Sequence, residues 1–161
     1  MEPDQLYGLP LDRFVPERAA LAKALRSAGD RAAASEVAAL RKPSIAAWAV
    51  NQLVRTQSRA VKELFAAGDA LSGAQEDLIA GRGDARSLRE ANARERSAVD
   101  ALLALARGLL TGEGNELSPA ILDRVSDTLH AAALDGDARD AIRDGRLERE
   151  LQHVGLGVRE L

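Results

Sequence analysis

The strongest constraint on this chain is a three-four apolar spacing that runs for about four heptads, stops at a glycine turn, and resumes. Apolar or small residues stand at 50, 53, 60, 64, 67, 71, 74 and 78, with Gln57 the one large polar interruption. After Gly81-Arg82-Gly83 the same spacing returns at Leu88, Ala91, Ala98, Leu102, Leu105 and Leu109, with Glu95 as the exception. Residues three and four apart share one face of a helix, so each tract is a helix with one buried seam. Two such helices joined by a short turn make an antiparallel hairpin. The spacing places its arms at about 43–81 and 84–110, with Asp84 capping the second. Gly68 and Gly73 each weaken the first arm by about 1 kcal/mol relative to alanine, which leaves room for a break near Gly68-Asp69 in an otherwise continuous arm.

The flanks read as shorter helices. Pro16 suits a first helical position, Leu21 and Leu25 give a stripe, Gly29 ends the helix and Asp30 caps the next. That second helix runs to about Arg41, because a residue before proline disfavours the helical region. Ser118-Pro119 starts a helix with the stripe Leu122, Val125, Leu129 and Ala132. Two short helices are expected near 137–143 and 146–152. Residues 1–15 form an ordered lead-in, and 153–161 a glycine-rich tail. The whole of 1–161 reads as one all-α domain, a helical bundle built on the long hairpin with two N-terminal and two or three C-terminal shorter helices. Composition agrees: 46% of residues are apolar but only 2% aromatic. The apolar mass is mostly alanine and leucine, both strong helix formers.

Several function classes fall away. The chain has no cysteine, which excludes disulfides, thiolate catalysis and thiolate metal sites. No apolar run approaches the roughly 20 residues of a membrane span. The N-terminus is acidic and lacks the basic and apolar regions of a signal peptide, so a cytoplasmic location is expected. There is no GxxxxGK loop and no GxGxxG motif after a strand, and nothing marks a serine as a nucleophile. No cofactor is implied, and an enzyme is the weakest of three classes considered.

Charge is unevenly spread. The net charge is −3, yet residues 16–62 carry nine basic against three acidic groups, net +6. Within that stretch Ser44, Trp48, Asn51, Arg55 and Lys62 share a helix face, with Arg41, Lys42 and Arg59 nearby. One reading is recognition of an anion or nucleic acid, in which the cations meet phosphates, Asn51 bonds a base or the backbone, and Trp48 stacks. The competing reading is structural. Numbers facing each other across the hairpin sum to about 165, so residues 43–54 overhang its second arm. The first two helices and the one starting at Ser118 must cover that overhang, or it stays partly exposed; when covered, Trp48 anchors the first two helices on the third. A second, weaker grouping is Asp123, Asp127 and His130 on one helix face. With no further histidine beside it, this reads as a solvated face rather than a metal site. Asp135-Gly136-Asp137 lacks the ligand pattern of a calcium loop.

Ala39-Leu40-Arg41-Lys42-Pro43-Ser44 followed by Ala47-Trp48-Ala49-Val50-Asn51-Gln52-Leu53 resembles a family of actinobacterial helical proteins of unknown function. Leu6-Tyr7 with Phe14, Gly29-Asp30, Leu117-Ser118-Pro119, Leu129-His130-Ala131-Ala132 and Gly145-Arg146-Leu147 extend the resemblance over most of the chain. It implies no reaction, ligand or site residue. The leading expectation is a non-enzymatic helical interaction module, with a protein partner or self-association through the hairpin's flank. The alternative is a nucleic-acid-binding or regulatory protein using Arg41, Lys42, Trp48, Asn51, Arg55, Arg59 and Lys62.

Overall fold

A computed structural model of the chain describes residues 1–111, 114–153 and 158–160. Helix α1 spans Phe14–Ser27 and α2 Arg31–Ala38. Helix α3 spans Ile45–Thr56, α4 Ser58–Ile79 and α5 Ala85–Ala106. Helix α6 covers Pro119–Leu134 and α7 Gly136–Arg143. Two 3-10 turns, Pro3–Gly8 and Leu11–Arg13, precede α1. Strands β1 (Leu151–His153) and β2 (Val158–Glu160) pair antiparallel, with Leu151 opposite Glu160. The all-α class stands.

Capping explains most boundaries. Asp30, Ser44, Asp84 and Ser118 each accept a first-turn amide, from Ala33, Ala47, Ser87 and Ile121 at 2.7–3.2 Å. Asp135, in the tract that resembled a calcium loop, caps α7 through the amides of Asp137 and Ala138. Such side chains satisfy donors that the first helical turn leaves open. Helix α1 begins two residues before Pro16, which sits in the first turn, where a missing N–H costs little. Helix α2 stops at Ala38, and the chain then runs outside any helix into Pro43.

Two stretches differ from expectation. The first arm of the hairpin is two helices, and the break falls at Gln57 (φ −123°, ψ 50°), not at Gly68-Asp69. Thr56 directs its hydroxyl to the Gln52 carbonyl at 2.7 Å, and Thr56-Gln57-Ser58 are residues whose polar groups compete with the helical ladder. The break separates two environments: α3 is buried from Ala46 to Leu53, whereas α4 buries a single stripe, Val61, Leu64, Ala67, Gly68 and Leu71. The helix expected at 146–152 is absent. Residues 144–150 cross α3 outside any helix, and the chain enters β1 at Leu151. Of the expected tail, 154–157 and Leu161 lie outside the described residues.

Gly68 continues the helix because it serves a crossing. A Cβ there would lie 1.8 Å from the carbonyl oxygen of Ala133 in α6, so α4 and α6 meet main chain to main chain. Arg139 of α7 secures the crossing. Its guanidinium donates to the carbonyls of Ala132, Ala133 and Phe65, pairs with Asp69 at 3.0 Å, and lies over the Phe65 ring.

Two apolar clusters result. The larger joins α3, α4, α5, α6, α7 and β1. The smaller holds Leu6, Tyr7, Phe14, Ala22 and Val37, flanked by Leu9, Leu21, Leu25 and Leu40. Helix α2 packs on α1, and α1 packs on the 3-10 turns; neither helix rests substantially on α3–α7. The overhang of residues 43–54 is therefore not covered by the first two helices. Helix α6 covers it as expected, and the 3-10 lead-in, α5, α7 and residues 144–150 take the place of α1 and α2.

Candidate functional site

The polar row on α3 was the leading candidate, and the structure turns most of it inward. Trp48 is 5% exposed, and its indole N–H donates to the Leu9 carbonyl at 2.9 Å. Asn51 is fully buried: its amide donates to the Leu147 carbonyl at 2.9 Å and accepts from the Leu147 amide at 2.7 Å. Arg55 is half-buried and donates to the Gly145 carbonyl at 2.9 Å and to the Asp4 carbonyl at 3.0 Å, with a salt bridge to the Asp4 carboxylate. Ser44 donates its backbone N–H to Glu148 and its hydroxyl to the buried Glu150 carboxylate.

Each of these bonds ends on one of two segments, the N-terminal lead-in or residues 144–150, and most end on main chain. Trp48 has no free face for a base to stack on, and both ends of Asn51 are occupied. A buried amide with both ends satisfied is a structural feature. Trp48 anchors the lead-in through Leu9 rather than α1 and α2. Gln52, absent from the candidate set, belongs to this row, since it donates to the Tyr7 carbonyl at 2.8 Å. The available signal was two adjacent amides inside an apolar helix, which must find partners once buried.

The remaining cations stay exposed but scattered. Arg41 and Lys42 sit in the α2–α3 connection; Arg59 and Lys62 sit beyond the break, in the first turns of α4. The seven-residue face thus divides into a buried set, a bridging arginine and two exposed pairs.

On α6, Asp123 and Asp127 point to solvent, but His130 does not join them. Its Nδ1 lies 2.6 Å from the carboxylate of Glu95 on α5. Glu95, the polar exception in the α5 seam, is 5% exposed, and His130 is its partner there. Among the described residues no group of three His, Asp or Glu side chains converges on a metal position.

Among the described residues the longest stretch with nothing buried is the distal α4–α5 hairpin. From Ser72 to Arg94 no residue is buried. Leu78 is 40% exposed and Ile79 89%. An open groove of about 560 Å³ runs between the two helices, lined by Ala70, Gly73, Asp77, Asp84, Ala91 and Arg94 among others. Glu63 and Arg94 bridge the arms at 2.8 Å. That hydrogen bond holds the Glu63 carboxyl below its usual range and raises Arg94. Asp84 is held low by the backbone N–H of Ser87 and then by its hydroxyl. No residue in the groove is buried against an acid–base partner, so the surface offers shape and charge rather than a reaction centre.

No protein family, characterised protein or solved structure matches this chain.

Proposed function

We propose that this protein is a non-enzymatic helical interaction module whose docking element is the distal α4–α5 hairpin. The observation that carries this reading is the stretch from Ser72 to Arg94, in which nothing is buried although both helices persist to the tip. Helical stability in proteins comes mainly from packing an apolar face. A two-helix projection that ends in Leu78 and Ile79 has such a face without a third element upon it. Elsewhere the same hairpin is covered by α6. Among the described residues no helix is long and apolar enough to cross a membrane, so the projection is read as facing a protein.

The nucleic-acid alternative keeps four exposed cations, Arg41, Lys42, Arg59 and Lys62. It loses its two base-reading groups, since Trp48 and Asn51 are occupied internally. Phosphate contacts position a protein on nucleic acid but do not specify sequence.

The test is a photo-crosslinking residue placed at Ala91 or Ala70, both lining the groove, in the native host, with exposed Arg26 on α1 as the control. Adducts to a protein are expected from both hairpin positions and not from the control. Hairpin positions that yield no adduct would sink the proposal.

A further inference from the structure

We infer that the hairpin's partner is a second copy of this chain, docked hairpin against hairpin about a two-fold axis between Ala66 and Ala70. This rests on the hairpin being the docking element. The argument begins with a misplacement of charge. The outer face of α4 carries Arg59, Lys62, Ala66, Ala70, Gly73, Glu76 and Asp77, spaced so that all lie on one side. All are exposed or half-exposed. Its cations stand in the first turns and its carboxylates in the last. A helix N-terminus is the positive end of the macrodipole and its C-terminus the negative end, so this order is the unfavourable one.

Arg59, Lys62 and Glu76 form no salt bridge among the described residues, and Asp77 meets only the exposed Arg82 at the tip. Asp84 adds a further carboxylate beside Asp77 along the groove. An antiparallel second copy reverses the order. The basic start of one α4 then lies over the acidic end of the other, and the two-fold axis makes the match twice. Lys62 falls beside Glu76 of the second copy, and Arg59 beside its Asp77 and Asp84.

The middle of the face suits such an approach. Ala66, Ala70 and Gly73 present little side chain, and a Cβ at Gly73 would meet nothing within 4 Å. From Arg59 to Asp77 the face is about 27 Å long at 1.5 Å per residue. Two hairpins laid together by this face form a four-helix bundle.

Two charge-reversed chains test this. One carries Arg59→Glu and Lys62→Glu, leaving both ends of the face acidic. The other carries Glu76→Lys and Asp77→Lys, leaving both ends basic. Sedimentation equilibrium of the wild-type chain up to about 100 μM should show a dimer that weakens with salt. Each variant alone should dissociate at least about tenfold more readily. An equimolar mixture should recover a heterodimer, because both charge contacts are then attractive. Circular dichroism confirms that each variant is folded. A monomeric wild type at that concentration, or folded variants that dimerise as well as wild type, overturns the inference. So does a mixture that recovers nothing. The crosslinking at Ala91 separates the two claims. An adduct of twice the chain mass supports a second copy. An adduct of any other mass rejects it and leaves the docking reading standing, and no adduct rejects both.

Discussion

Gly68 and Gly73 lie five residues apart on one helix and do opposite things. At Gly68 a methyl group would stand 1.8 Å from the Ala133 carbonyl oxygen and 2.5 Å from its carbon. Main chain cannot swing aside as a side chain can, so α4 and α6 would have to separate. Gly68→Ala should destabilise the fold by about 2–3 kcal/mol through overpacking, despite the gain in helix propensity. Gly73→Ala meets nothing within 4 Å and should stabilise dilute protein by about 0.5–1 kcal/mol. Urea unfolding of the two variants checks both signs. A Gly68→Ala chain as stable as wild type would remove the close crossing from the account. In the sequence nothing foretells these opposite roles, since both glycines cost the helix alike and neither lies on its 60/64/67/71/74/78 stripe. What separates them is the path of α6, some 60 residues later. Asn51 was similarly half-legible: an amide inside an apolar helix announces burial, but not that its partner is the backbone of Leu147, 96 positions away.

At the scale of elements, the exposed ends of the α4–α5 hairpin are held by two titrating carboxylates. Asp84 caps α5, and Glu63 bridges to Arg94. Both have folded pKa values lowered from the ordinary carboxylate range. Each therefore binds its proton less tightly folded than unfolded. The stability they contribute is complete above the unfolded value, near 4, and is lost as pH falls through that value toward the folded one. Combining Glu63→Gln with Asp84→Asn retains hydrogen-bonding side chains but removes both titrations. Its unfolding free energy should change less between pH 5 and pH 2 than that of wild type. An unchanged slope in urea titrations would count against these groups. The hairpin was the most legible element, because its seam repeats over many turns and Asp84 sits beside a glycine turn. Residues 146–152 were misread for the opposite reason. Arg-Leu-Glu-Arg-Glu-Leu is a favourable helical sequence, yet Asn51 takes both backbone groups of Leu147, and Thr128 takes the N–H and carbonyl of Leu151. Tertiary partners outbid local propensity there, and nothing in the local sequence records them.

The whole molecule is two apolar clusters joined by a polar seam. The smaller, built around Phe14 and Val37, carries α1 and α2, and it reaches the body mainly through carbonyls of the lead-in. Such a lobe should open at a lower free energy than the bundle. Hydrogen exchange should be faster in α1 and α2 than in α3 and α6, and Trp48→Phe, which deletes the bond to Leu9, should widen the difference. Uniform protection across both clusters would contradict this division. The seam has another property. Asn51, Gln52, Trp48 and Arg55 grip peptide carbonyls and amides, groups that every residue type carries. Apart from Gly145, where a Cβ would lie 2.9 Å from the Arg55 side chain, and Asp4, whose carboxylate pairs with Arg55, the contacts that these four make in the gripped strips ask little of the side chains there. The grip itself should therefore place few demands on residue type in the strips, where tolerance is set instead by burial, as at Tyr7 and Leu147, and should be narrow in the one helix that holds them.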